Sequence, residues 1–509
     1  GTVATQTDGH QIISSGGTGI ISDLEAGTQL VSSGGTAMAT VLNGGTQLLY
    51  EGSYADNTTL NANGTMMVSG TTSTTVNVSV GTVNANGGNI ILGSGTGTDT
   101  TAVGQTLNIA SLNGSANFVI NADLAKGNSD KIVIASAANS TANTIQVNYD
   151  PYYDVKTYTG GVVIGSAVIA QAPTSVTFSA KTTDLGAFRF TPTLTQSADG
   201  TWTMGSISEE GATASENTMT AADSHEVIDE AWFNTVNSLT KRLGDLRLGN
   251  VDKNDNIWAR YQRGTDRAGR GRKAELNANL LQVGYDKAIA AKDGTRYIGL
   301  AVDHLVGESL YEGGSGTAKG TSFALYDTWL GSSGHYYDLI FRQGRFSNDY
   351  TVTDLSETSS TADYGVSATT LSGEYGYRKK LKDGAYVEPQ AELIWGHLAG
   401  TNYTTSMGWP VRLTAANHVI TRIGLALGKE TARGSYYSRV GYYHDFGSAG
   451  NISFADFSYQ RQTLRDWCEL TVGGDVNLTR NLRLYGEVTK YLGDLTNNVN
   501  FNAGLRLKF

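Results

Sequence analysis

From Asn498 onward the chain alternates in chemistry at every step. Val499, Phe501, Ala503, Leu505, Leu507 and Phe509 are apolar, and Asn498, Asn500, Asn502, Gly504, Arg506 and Lys508 stand between them. A period of two sends successive side chains to opposite faces of a strand. Segments of this kind lie near 256–264, 275–290, 295–306, 316–331, 334–346, 362–379, 384–399, 416–429, 434–446, 465–478, 481–491 and 497–509. Turns such as Lys292-Asp-Gly, Ser332-Ser-Gly and Lys382-Asp-Gly separate them. Many exceed the roughly 5–6 residues of a soluble strand and suit a tilted membrane crossing of about 9–11 or more. Twelve long strands with one apolar and one polar face predict an antiparallel transmembrane barrel, because closure leaves no unpaired edge. Pro389 falls inside one segment, where its missing N–H is a blemish. No run of about 18 apolar residues marks a transmembrane helix, which does not bear on a barrel.

The 509 residues divide by composition. Residues 1–205 carry 5 Lys/Arg and 12 Asp/Glu, against 32 and 35 in the remainder, and 11 of the 46 aromatics. Such a shift marks a domain boundary. The first half also repeats: Gly9-His-Gln-Ile-Ile-Ser-Ser-Gly, Gly27-Thr-Gln-Leu-Val-Ser-Ser-Gly and Gly45-Thr-Gln-Leu-Leu-Tyr-Glu-Gly start 18 residues apart. Gly64-Thr-Met-Met-Val-Ser-Gly and Gly81-Thr-Val-Asn-Ala-Asn-Gly follow after 19 and 17. Each unit is too small to bury its own face, and stacking them into a parallel β-solenoid over 1–105 creates a core. From about 106 the repeat fades while strand patterns persist, through Phe118-Val-Ile-Asn-Ala, Asp130-Lys-Ile-Val-Ile and 162–170 to Gly200-Thr-Trp-Thr-Met. Residues 106–205 are therefore read as the cap a solenoid end needs. Residues 206–223 are small and polar and read as a linker. Asp223 and Glu226 form a capping box. Ile228, Trp232, Val236, Leu239, Leu243 and Leu246 then recur at helical spacing, which predicts a helix over 224–248, about 33 Å long.

These residues resemble type Va autotransporters of Gram-negative outer membranes. Val236-Asn-Ser-Leu-Thr-Lys-Arg-Leu-Gly-Asp-Leu-Arg247 resembles the family's pore-helix motif. Trp258-Ala-Arg, Leu281-Gln-Val-Gly-Tyr-Asp and Glu388-Pro-Gln-Ala-Glu-Leu resemble barrel strands. Asn502, Gly504, Leu507 and Phe509 fit the terminal signal read by the barrel assembly machinery. The repeats resemble the self-associating adhesin branch, and 106–205, with Trp202, its autochaperone region. The resemblance implies an all-β chain: a right-handed parallel β-helix passenger, a pore-spanning helix and a twelve-stranded translocator barrel at 256–509. It implies a barrel in outer-membrane lipid and a passenger on the cell surface. The implied partners are the assembly machinery, periplasmic chaperones, and a second passenger or a host surface.

Some members cut their own pore helix. In one branch an Asn side chain attacks its own backbone carbonyl, helped by barrel acids. The resemblance places that Asn at Asn237, its scissile neighbour at Ser238 where the family has a second Asn, and the acids at Asp338, Glu374 and Glu392. Strand parity independently turns these acids inward, since Leu339, Phe341, Leu371, Tyr375, Leu393 and Trp395 take the lipid side. The plainer reading is that they pair with Lys241, Arg242 or Arg247 on the helix.

Other chemistries find little footing. A net charge of −10 argues against nucleic-acid binding. Cys468, alone of its kind, provides no disulfide framework or cysteine-built metal site. No cofactor is expected. Gly95-Thr-Gly-Thr-Asp99 resembles a calcium β-roll motif once, where that architecture repeats it. A polysaccharide-active solenoid enzyme would cluster its acids, and those of 1–205 are dispersed. A substrate-conducting porin would need an open lumen.

Overall fold

The computed structural model describes residues 4–69, 75–93, 103–123, 126–149, 166–205, 213–246, 254–268, 272–355, 358–455, 457–461 and 465–509. They form two compact units, Gly1–Glu216 with Thr353–Ser359, and Asn217–Val352 with Ser360–Phe509.

The first unit is a stack of parallel strands. His10–Ile13 pairs with Thr28–Val31, then Thr46–Leu49, then Thr65–Val68, each register stepping by the 18 or 19 residues of the repeat. Thr18–Leu24, Thr36–Leu42 and Thr58–Asn61 form a second column. Val31, Leu49 and Val68 on one column and Leu24, Leu42 and Leu60 on the other are fully buried between them. Amide ladders fix the register as well. Gln29 Nε2 donates to Gln11 Oε1 at 2.6 Å and Gln47 Nε2 to Gln29 Oε1 at 2.8 Å. On another face Asn86 donates to Asn61 at 2.9 Å and Asn61 to Asn43 at 2.6 Å. Like amides stacked at strand spacing bond only in register, so each coil templates the next.

The stack continues past residue 105. Asn77–Leu92 pairs in parallel with Thr106–Asp123, which pairs with Lys131–Ile134 and Thr141–Tyr149, and the last with Val176–Ala180. Partners such as Thr106 and Lys131, or Thr141 and Val176, are now farther apart than 18 residues. The period disappears from the sequence because the coils lengthen, while inward Leu107, Ile109, Phe118 and Ile120 keep the alternation. At the far end direction reverses: Thr201–Met204 runs antiparallel to Ala167–Gln171 and Leu194–Gln196 and covers the final edge. There Trp202 is buried edge-on against Phe178 at 5.3 Å, and Phe178 against Phe118 at 5.7 Å. The Gly95–Asp99 motif lies outside the described residues.

The second unit is a closed barrel. Twelve strands from Asn256–Ala268 to Asn500–Lys508 pair antiparallel with their sequence neighbours, and the first pairs with the last, Asn256 opposite Lys508 and Arg263 opposite Phe501. They run from 9 to 19 residues. The burial pattern is inside out: Leu300 and Val302 are exposed while the alternating Ala301 and Asp303 are buried. An apolar outer band around a polar interior is the arrangement of a membrane-spanning barrel. Pro389 is accommodated by a break in the ladder, which stops at Gly376 opposite Gln390 and resumes at Lys379 opposite Val387. An element the sequence reading missed is a four-stranded sheet, Thr401–Thr404, Pro410–Leu413, Asn451–Phe454 and Phe457–Gln460, built from two long connections.

One helix, Glu216–Leu246, has 31 residues, about 46 Å at 1.5 Å each. It starts eight residues before the expected 224, so part of the expected linker is helical and Asp223 and Glu226 cap nothing. Asn217, Thr218, Thr220 and Ser224 are buried there although they carry no apolar period. The true first turn is capped by Asp184, whose Oδ2 accepts the Glu216 N–H at 3.0 Å.

Among the long coils a carboxylate replaces the repeat as a register device. Asp130 Oδ1 accepts the N–H groups of Gly104 and Gln105, and Oδ2 that of Asn121, each at 2.8 Å. Burial outweighs these donors and pushes its carboxyl up from 3.8 to about 6. A raised carboxyl binds its proton more tightly in the folded state, so its contribution is most favourable below pH 3.8 and is lost as pH rises through about 6. The difference amounts to about 3 kcal/mol. Urea unfolding of the solenoid should therefore show wild type losing about that much relative to Asp130→Asn between pH 4 and pH 7. Parallel pH profiles would contradict this.

Candidate functional site

The helix is buried along most of its length although it is not an apolar helix, because the barrel wall answers it group by group. Ser224 shares a 3.0 Å hydrogen bond with Tyr364, and its carbonyl accepts Asn348 Nδ2 at 3.0 Å. Asp229 accepts Arg461 Nη2 at 2.6 Å. Trp232 donates its indole N–H to Thr370 at 2.8 Å and stacks on His418 with centroids 5.0 Å apart. Its ring fits only because position 396 is glycine: a β-carbon there would lie 2.2 Å from Trp232 Cζ2. Asn234 donates to Asp266 at 2.6 Å and accepts from Gln262 at 2.9 Å. Gln282 donates to the Thr235 carbonyl at 3.1 Å.

Asn237 sits in the densest part of this network. Its Nδ2 donates to Glu469 Oε2 at 3.0 Å and to Tyr491 Oη at 2.7 Å, and its Oδ1 accepts from Tyr443 Oη at 3.3 Å. One turn on, Lys241 Nζ lies 3.2 Å from Glu469, 3.9 Å from Glu487 and 3.0 Å from Thr489 Oγ1. Arg439 holds Glu469 at 3.1 Å, and Arg260 holds Glu487 at 2.6 Å. Ser238 is buried beside Asn237. The side chain of Arg242 and the whole of Arg247 lie outside the described residues.

Asp338, Glu374 and Glu392 point into the lumen and are buried, as parity requires. Arg422 gathers two of them, at 2.7 Å from Glu374 Oε2 and 2.9 Å from Glu392 Oε2. Asp338 accepts from Thr328 Oγ1 at 2.6 Å. The carboxylate that bonds Asn237 is Glu469, which the sequence reading did not single out. The alternation holds a signal for it that was not used: Glu469 precedes outward Leu470 and Val472, as Glu487 precedes outward Val488. The resemblance had directed attention to other strands.

The terminal strand has structural work of its own. Asn502 faces inward, accepting from Arg260 Nε at 2.9 Å and donating to Glu487 at 3.2 Å. Gly504 is flat under the Tyr485 ring, where a β-carbon would come within 2.2 Å of Cζ. Leu507 and Phe509 face outward, Phe509 stacked on Tyr285 at 6.3 Å.

Removing one partner from a buried ion cluster leaves an uncompensated charge, costing about 3–5 kcal/mol. Glu469→Gln should lower the temperature at which the folded barrel denatures on a gel, and Glu469→Gln with Lys241→Met should recover part of the loss. Additive losses would show that the two do not act as a pair.

Residues 257–489 match the family model of the autotransporter beta-domain, and residues 52–206 match that of pertactin. The BrkA autotransporter of Bordetella pertussis is 27% identical over 418 residues, 80% of this chain and 40% of its own length. The serine protease Sat autotransporter of Escherichia coli is 27% identical over 424 residues, 79% of this chain and 31% of its own. The pertactin autotransporter of Bordetella parapertussis is 29% identical over 286 residues, 54% and 31%. This chain thus spans less than half the length of these relatives. The solved beta domain of BrkA shares 26% identity, covers 50% of this chain and 100% of its own, and gives a TM-score of 0.45. With its lipid-facing barrel, its lumenal helix and its stacked β-strand passenger, the chain belongs to the autotransporters of the Gram-negative outer membrane.

Proposed function

We propose that this chain exports its own solenoid, folds it from the 106–205 end around Trp202, and keeps it tethered at the surface as an adhesive stalk. The bond of Asn237 and Lys241 to Glu469 carries the tethering part of this reading, because it locks the helix in the wall. Folding can propagate along a stack in which each coil needs only its neighbour, so a capped end is a natural nucleus. The Trp202–Phe178 packing supports that role.

Adhesion rests on the solenoid face. Ile12, Leu30, Leu48 and Met67 align in register on the outer side of their column, beside His10, Thr28, Thr46 and Thr65. Ile12 is 64% exposed. No residue of these two rows is an acid, a lysine or an arginine, so the face does not repel a copy of itself. The acids of the solenoid serve its own structure: Asp56 accepts the Thr82 N–H at 2.7 Å, Asp23 and Glu25 accept Asn43, and Asp130 ties the long coils. That use disfavours a polysaccharide-cleaving groove.

A second reading is self-cleavage, favoured by the 3.0 Å approach of Glu469 to Asn237 Nδ2. There Nδ2 would attack its own carbonyl carbon, the C–N bond to Ser238 would break, and the proton from Nδ2 would end on the Ser238 amine. Lys241 and Arg439 both engage Glu469 and hold its oxygens in ion pairs, which favours the intact tether.

Cells displaying the chain should clump, and Leu30→Glu with Leu48→Glu should abolish clumping while surface passenger stays at the wild-type level. Unchanged clumping, or none with wild type, would overturn the adhesive reading of this portion.

A further inference from the structure

Short turns close one rim of the barrel, at 292–293, 332–334, 378–384, 431–433 and 478–481, and the longest connections, 399–415 and 446–465, lie at the other. The short-turn rim is the periplasmic one in such barrels. Its turns hold Lys292, Arg378, Lys379, Lys380, Lys382, Arg433 and Arg480 against Asp293 and Asp383 alone, in a chain of net charge −10.

Two of these turns border a cavity of about 480 Å³ whose lining includes Ser332, Ser333, His335, Lys379 and Lys380 together with Arg378 and one carboxylate, Glu430. His335 lies against Tyr377 with centroids 4.5 Å apart and bonds Tyr375 Oη at 2.7 Å, which makes one wall rigid. Arg378 is committed to Glu388 and to the face of Tyr386 at 4.2 Å. The lysines are less engaged. Lys380 reaches Glu430 only at 3.5 Å with its side chain 69% exposed, and exposed Lys379 makes no ion pair among the described residues. Leu381, half exposed, stands between Lys380 and Lys382, and the outward band of Leu339, Tyr375 and Leu393 runs up the adjoining strands. Cations, hydroxyls and an exposed leucine at the edge of an apolar band are the surroundings of a lipid headgroup.

We infer that this cavity binds the headgroup of an anionic phospholipid of the periplasmic leaflet, with Lys379 and Lys380 on the phosphate and Leu381 against the acyl chains. A protein with an acidic surface could satisfy the lysines but would leave the exposed Leu381 without a role.

The test is native mass spectrometry of the purified full chain with phosphatidylglycerol, phosphatidylcholine or inorganic phosphate. Phosphatidylglycerol should be retained over phosphatidylcholine. Lys379→Gln with Lys380→Gln should weaken its retention about tenfold, while Arg433→Gln with Arg480→Gln, outside the cavity lining, should change it less than twofold. Both pairs replace surface residues, and unchanged gel mobility of the folded barrel confirms that they fold. Equal losses from the two pairs would mean diffuse charge rather than a site. Displacement by inorganic phosphate would make it a free-anion site, and lysine-dependent binding of polyglutamate without lipid would assign it to a protein. Each of these results, or no loss at all, overturns the inference.

Discussion

A polar helix can be buried on all sides only if most of the groups it carries find partners, since an unpaired polar group in a low-dielectric interior costs about 1–3 kcal/mol. The barrel supplies those partners because its own backbone is satisfied by ring closure, Asn256–Arg263 against Phe501–Lys508, which leaves the inward side chains free to serve the helix. Asp266, Thr370, Glu469, Thr489 and Tyr491 come from four strands and meet one helix. Change the strand register by one residue and lipid would meet these groups while Leu470 and Val472 faced the lumen. Closure, register and plug are therefore one specification.

The solenoid solves a similar problem along one dimension. Its polar groups pair up and down the stack, Gln11 to Gln29 to Gln47 in the interior and Asn43 to Asn61 to Asn86 outside. The glutamine ladder ends where Met66 stands opposite Gln47, at the coil where lengths begin to change. Beyond it, Gln105 accepting the Val76 N–H and Asp130 spanning three amides take over the same task with single residues. Repetition and isolated polar staples are two ways of fixing the same parallel register.

Much of this was legible in the sequence because it rests on periods. The twelve barrel strands follow the alternation, and the early coils follow their 18-residue spacing. What escaped rests on pairing rather than period. The helix start is not legible because Asn217, Thr218 and Thr220 are buried polar residues with no apolar rhythm to mark them. The stack beyond 105 lost its period when coils lengthened. The loop sheet at 401–404 and 451–460 is made of strands too short to show alternation. In the lumen, parity correctly turned Asp338, Glu374 and Glu392 inward, but which carboxylate meets Asn237 depends on barrel stagger, and only the folded chain brings Glu469 there.

If the helix is a tether, Asn237 is an anchor in an unbroken chain. The direct measurement is the mass of the chain in boiled outer-membrane fractions from expressing cells, read on a denaturing gel and by mass spectrometry. A single species that carries both the solenoid and the barrel is the expected result. Two fragments, the solenoid piece ending at Asn237, would contradict it and make the lumenal network a site of self-cleavage.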